Sequence, residues 1–112
     1  MQNYPNPMNP ETWIPFTLGD YPTCSEPGRK YVVSLSIWNT IQQKFAIPVI
    51  QKGSANVAGG QPLTKLSLPC GEYVAYWNGK RMGTQREAAS GVYGMVLEVD
   101  GRAIKKFMVV AK

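Results

Sequence analysis

Tyr31-Val32-Val33-Ser34-Leu35-Ser36-Ile37-Trp38 is the stretch that decides the fold. Val33, Leu35 and Ile37 alternate with Ser34 and Ser36, the period-two pattern of a strand with one face buried and one face wet. The same pattern recurs on both sides of it. Upstream, Ile14, Phe16 and Leu18 alternate with Trp13, Pro15 and Thr17, and Pro15, with no N–H to give to a ladder, places that strand at a sheet edge. Downstream, Phe45, Ile47 and Val49 continue an inward pattern after a short polar connection at 39–43, and Pro48 again implies an edge. Tyr73, Ala75 and Trp77 are in register in a strand over 72–77 closed by Asn78-Gly79, and residues 91–99 and 102–111 form a hairpin across Asp100-Gly101.

Between these strands the chain is short and rich in turn residues. Residues 19–28 form a turn-rich stretch, 51–61 a Gly-rich loop, and Leu63–Leu68 a short apolar return. Lys80–Ser90 is a polar excursion in which one short helical turn is predicted at 85–89. Residues 1–11, with three Pro and three Asn, form an extended lead-in, leaving 12–112 as the domain. About seven strands in roughly 100 residues is the arithmetic of an antiparallel two-sheet β-sandwich, with a small barrel as the alternative. A chain of 112 residues has room for one core, and eleven Gly with nine Pro suit short strands joined by turns better than helices.

Composition narrows the chemistry further. The chain has no His, which removes the usual general base and zinc ligand, and no Gly-x-Ser-x-Gly elbow or phosphate loop occurs. Seven carboxylates, mostly in loops or at strand ends, offer no acid–base pair, so the expectation is a protein that is not an enzyme and takes no cofactor or metal. Net charge is +5, but the basic residues come in pairs such as Arg29-Lys30 and Lys105-Lys106, not in runs with interleaved aromatics, so nucleic acid is not the expected partner. No apolar run is long enough for a membrane-spanning helix. The opening Met1-Gln2-Asn3-Tyr4-Pro5 lacks the basic and apolar regions of an export signal, so such a signal is expected upstream in a longer parent protein.

Cys24 and Cys70 allow one disulfide or two free thiols. A bridge would close a loop of about 45 residues and contribute on the order of 3 to 4 kcal/mol, and a Gly/Pro-rich, His-free β-domain favours it, with an extracellular setting. Trp13, Trp38 and Tyr76 fall on outward or edge positions, where they either cover a face or form a platform for carbohydrate.

Several stretches resemble known modules. Asn3-Tyr4-Pro5-Asn6-Pro7-Met8-Asn9-Pro10-Glu11-Thr12-Trp13-Ile14-Pro15-Phe16 is similar to the Tyr-Pro-Asn-Pro-Phe-Asn-Pro-x-Thr-x-Ile-x-Phe opening of C-terminal sorting domains of bacterial surface and secreted proteins. Gly71-Glu72-Tyr73, Tyr76 to Lys80, Gly83 and Ala89-Ser90-Gly91-Val92-Tyr93 resemble the signature of the Ig-like domain of flagellar hook-capping proteins, and Val33 to Trp38 matches the central strand of that family. Lys105-Lys106-Phe107-Met108-Val109-Val110-Ala111-Lys112 is similar to the Lys-Met-Val-Leu-Leu-Lys end shared by both. Met8 for Phe, Asn78 for Asp and a longer middle between Ile50 and Gly71 depart from the pattern, and the Cys pair lies outside it.

The resemblance implies an Ig-like (fibronectin III-like) sandwich that sorts an upstream cargo protein to the bacterial cell surface or medium, in many members through the type IX secretion machinery. Asn6-Pro7 and Asn9-Pro10 would then fix the direction in which cargo leaves, with Asn side chains bonding local backbone. Trp77, Gly79, Gly91 and Tyr93 would be structural, Gly91 by permitting tight packing and Tyr93 by filling the core with its hydroxyl near a loop backbone. The last strand, with Lys105, Lys106, Phe107, Met108, Val109, Val110 and Lys112, would be the surface read by secretion or attachment proteins, because an edge strand offers backbone pairing and a basic rim. The alternative is an extracellular structural or adhesive domain that self-associates through edge strands or binds carbohydrate.

Overall fold

A computed structural model describes residues 2–5, 11–53 and 59–111. Those residues contain eight strands and no helix: β1 (Thr12–Leu18), β2 (Lys30–Trp38), β3 (Lys44–Ala46), β4 (Val49–Gly53), β5 (Leu66–Pro69), β6 (Gly71–Trp77), β7 (Gly91–Val99) and β8 (Arg102–Val110). They form two antiparallel sheets, one ordered β1-β6-β4 and the other β3-β2-β7-β8, with β5 also paired to β2. The strand at 31–38 is central because both its sides are used. β7 covers one side from Val33 to Trp38, while β5 pairs with residues 30–33 and β3 with residues 37–38 on the other. Between them the Leu35 N–H donates to the Leu63 carbonyl (2.9 Å).

The core lies where the inward sets of the two sheets meet. Ile14, Phe16 and Leu18 of β1 join Tyr73, Ala75 and Trp77 of β6, and these face Val33, Leu35 and Ile37 of β2, Met95 and Leu97 of β7, and Met108 and Val110 of β8. All are buried, so the alternation in the sequence marks the core face in each of these strands. β1 is an edge strand, as Pro15 requires.

Residues 45–49 differ from their sequence reading. They do not continue as one strand with Phe45, Ile47 and Val49 inward. β3 and β4 belong to different sheets, and the chain crosses between them at Ile47-Pro48. Phe45, Ala46, Pro48 and Ile50 are buried, whereas Ile47 and Val49 are half-buried. Pro48 has no N–H to keep the ladder running, so the strand ends there and the chain turns to the opposite sheet, burying residues against both. This split brings the strand count to eight. In β4, Gly53 lies against the Tyr73 ring so closely that any side chain there would displace it.

The helical turn predicted at 85–89 is also absent. Residues 79–88 form a small looped hairpin: Lys80 and Glu87 make an isolated bridge, Arg81 N–H donates to Arg86 O (2.9 Å), and Thr84 N–H donates to Arg81 O (3.2 Å). Gly83 at φ +76° turns the chain tightly, and Ala88, 1% exposed, anchors the loop on the core.

Cys24 and Cys70 are joined in a disulfide spanning 46 residues, with their Cα atoms 5.7 Å apart. Its position follows from the topology. Cys70 occupies the corner where the chain leaves β5 in one sheet and enters β6 in the other, and Cys24 lies in the β1–β2 connection, which makes the same crossing. The bridge therefore ties two inter-sheet crossings together, a cross-link that persists in oxidising compartments.

Candidate functional site

The Asp100-Gly101 turn starts β8. Both residues have positive φ (+51° and +85°), the backbone that a two-residue hairpin needs, and Asp and Gly tolerate it. The Asp100 carboxylate accepts a hydrogen bond from Val32 N–H (2.8 Å) and faces Arg29 (3.4 Å), while Asp100 N–H donates to Val32 O (2.9 Å), so the hairpin tip is held to the start of β2. From there β8 runs in unbroken register with β7 from Val99↔Arg102 to Gly91↔Val110.

Met108 and Val110 anchor the end of β8 in the core, but Arg102 to Phe107 are exposed on both faces. Lys105 and Lys106, consecutive in a strand, project to opposite faces. Ile104 and Phe107 are 52% and 61% exposed, unusual for large apolar residues in a paired strand.

The other edges are short or covered. β1 carries Pro15 and is bridged at its start by Tyr4, which exchanges two backbone hydrogen bonds with Trp13 (2.9 Å each). β4 is capped by the following loop through Ile50 N–H to Gln61 O (2.8 Å) and Gly60 N–H to Ile50 O (2.7 Å). β3 has three residues and receives Met82 N–H at Phe45 O (3.0 Å), and β5 has four and ends in Pro69. Among the described residues, β8 is the long edge with no strand on its far side.

The candidate carbohydrate residues are not brought together. Trp13 and Tyr76 meet on the outer face of the three-stranded sheet, ring centroids 5.6 Å apart, whereas Trp38 stands on the outer face of the other sheet. The sequence shows that each faces outward but not which sheet each belongs to. Tyr4, which the sequence reading left in the lead-in, completes the first cluster by stacking on Trp13 (6.2 Å). Beneath it the Asn3 amide, 2% exposed, donates to Thr12 Oγ1 (3.0 Å) and Pro5 O (3.1 Å), so this part of the lead-in is packed onto the sandwich.

Tyr76 donates its hydroxyl to Glu11, and that bond, then burial, then the Glu11 charge hold its pKa above the ordinary phenol value. Burial raises both Tyr73 and Tyr93. Because all three bind their protons more tightly in the folded state, their contribution to stability is complete below about pH 10, the unfolded tyrosine value. It is lost as pH rises through the higher folded values. Denaturant midpoints measured from about pH 8 to about pH 11 should therefore fall at the alkaline end. Tyr76→Phe should make that fall shallower.

Trp77, Gly79 and Tyr93 are assembled at one end of the core. Trp77, Phe45 and Tyr93 form three mutual edge contacts at 5.3 to 6.1 Å. Trp77 Nε1–H donates to Lys80 O (2.9 Å), Ala88 N–H to Gly79 O (2.7 Å), and the Tyr93 hydroxyl to Ala89 O (2.9 Å). This group pins the 79–89 loop to the sandwich. Gly91 serves a different purpose from the one expected: nothing lies within 4 Å of the position a Cβ would take, so close packing is not its role, and φ +156° is what a side chain there would disfavour.

Asn6, Pro7, Asn9, Pro10 and Lys112 lie outside the described residues. No cluster of three metal-ligating side chains occurs among the described residues. No protein-family model matches the chain, and no curated protein or solved structure matches it.

Proposed function

We propose that this chain is a non-enzymatic, Ig-like C-terminal module that sorts an upstream cargo protein to the bacterial cell surface, and that β8 is the strand its partner reads. The observation that carries the reading is the contrast between edges. Every other edge is short, proline-interrupted or capped, while β8 presents Arg102 to Phe107 with a cation on each face. Proteins normally shorten or cover such an edge, so one left long suits recognition by strand addition, in which main-chain bonds supply affinity and alternate side chains supply selectivity. The Asn-Pro opening and the Lys-rich end resemble type IX sorting modules, and the disulfide suits an oxidising exterior.

The test places residues 1–112 behind a periplasm-targeted fluorescent protein in a host with type IX machinery. Deleting the last strand would be a poor control, since Met108 and Val110 are core residues. Lys105→Glu, Lys106→Glu and Phe107→Ser together change only exposed positions. The expected result is surface or medium delivery of the parent and periplasmic retention of a folded triple variant. Retention of both, or delivery of both, would sink the proposal.

The same edge favours a second reading, an extracellular structural domain that pairs with its own copy. Ile104 and Phe107 would then be buried between copies, and apparent mass would rise with concentration.

A further inference from the structure

The outer face of the five-stranded sheet carries a groove of about 440 Å³ that shares Lys105 with the proposed recognition strand but otherwise lies apart from it. Its floor is the outward row of β2, Ser34, Ser36 and Trp38, and Lys44, Lys65 and Lys105 stand around it. Glu98 is the one carboxylate in its lining. None of the three lysines has an ion-pair partner among the described residues. Two of them lie over aromatic rings instead, Lys44 Nζ at 5.6 Å from the Trp38 centroid and Lys105 Nζ at 5.2 Å from that of Phe107.

The serines are used in one direction only. Ser34 Oγ accepts the Lys65 N–H (2.9 Å) and Ser36 Oγ accepts the Trp38 indole N–H (2.8 Å), which leaves each O–H to donate. Hydroxyl and ammonium donors thus outnumber acceptors, and the complementary ligand is rich in acceptors and anionic.

Backbone strain points to the same place. Among the described residues, four that are not glycine have positive φ. Cys24 is fixed by its disulfide, Asp100 by the β7–β8 turn and Gln42 (+63°) by the β2–β3 turn, where its N–H donates to Asn39 O (3.2 Å), but Lys65 (+47°), at the entry to β5, lines this groove. Glycine is the unstrained residue at such an angle, yet this position carries a long cationic side chain at the groove.

We propose that the groove binds an acidic saccharide, a chain of uronate-type sugars, with a ring face against Trp38 and carboxylates at Lys44, Lys65 and Lys105. Hydroxyl donors at Ser34 and Ser36, two positions apart on one strand and so about 7 Å apart, suit the spaced oxygens of a sugar ring. A nucleic acid would instead call for several exposed stacking rings, and the groove has one tryptophan in its floor.

The experiment is calorimetric titration of the disulfide-bonded protein with a galacturonate trimer, a neutral galactose trimer and a short oligodeoxyadenylate. Galacturonate should bind and quench tryptophan fluorescence, should weaken at about 0.5 M salt, and the neutral trimer should not bind. Lys65→Gly should weaken binding about tenfold by removing one charge-assisted contact. The same change should raise the thermal midpoint, since glycine relieves the left-handed backbone, so lost binding could not be ascribed to unfolding. This variant leaves β8 untouched, and the sorting proposal stands or falls separately. Absence of galacturonate binding, equal binding of the neutral trimer, tighter binding of the oligonucleotide, or full binding by Lys65→Gly would overturn the assignment.

Discussion

Replacing Cys24 and Cys70 together with Ser should lower unfolding free energy by about 4 kcal/mol, the chain-entropy value for a loop of this size. For a domain of this length that corresponds to a fall of roughly 15 °C in the thermal midpoint. The loop closed is 46 residues, and it contains β2, β3, β4 and β5, so the reduced unfolded chain gains freedom across nearly half the molecule. The folded state also loses its tie between the β1–β2 and β5–β6 crossings. Calorimetry of the oxidised parent against the double variant measures the effect, and the reduced parent should behave like the variant. A midpoint shift of only a few degrees would mean that the crossings are held by packing alone.

Trp77→Ala should cost a comparable amount, about 4 kcal/mol, by a different route. Trp77 is 3% exposed and makes edge contacts with both Phe45 and Tyr93, so truncation leaves a large void that β3 and β7, on the opposite sheet, cannot close. Lys80 O also loses its indole donor, which releases the 79–89 loop. Denaturant titration should report the loss of stability. Limited proteolysis should cut first within 80–87, and Trp77→Phe should recover much of the packing but leave the loop sensitive. Cleavage elsewhere would show that the indole hydrogen bond does not hold this loop.

Strand identity was legible wherever one face of a strand is buried and the other is wet. Ile14-Phe16-Leu18, Val33-Leu35-Ile37 and Tyr73-Ala75-Trp77 read correctly because side chains alternate with a fixed period, and burial follows that period. Asp100-Gly101 was readable because few residue pairs tolerate two consecutive positive φ values. Residues 45–49 misled because Phe45-Ile47-Val49 has the right period, while the break at Pro48 and the crossing depend on having two sheets to cross between. In the 79–88 loop, residues with adequate helical propensity are held by the Lys80↔Glu87 bridge and by Ala88 against the core, contacts that no local window contains.

The candidate surfaces divide in the same way. That the last strand is basic and apolar could be read directly from Ile104-Lys105-Lys106-Phe107. That, among the described residues, no strand pairs with its far side while the other edges are capped depends on Tyr4, Gln61 and Met82 reaching back across the chain. Trp13 and Trp38 look alike in sequence, each an aromatic on the outward face of a strand, yet they stand on opposite faces of the sandwich. Lys44, Lys65 and Lys105, separated by 21 and 40 positions in the chain, gather around one groove only because β2 sits between β3 and β5 on one side and β7 with β8 on the other. The sequence by itself determined which residues β1, β2 and β6 bury, because alternation is a local consequence of the pleat. Tertiary structure alone decided which sheet each strand joins and which edge stays open, because those depend on pairings between residues far apart in the chain.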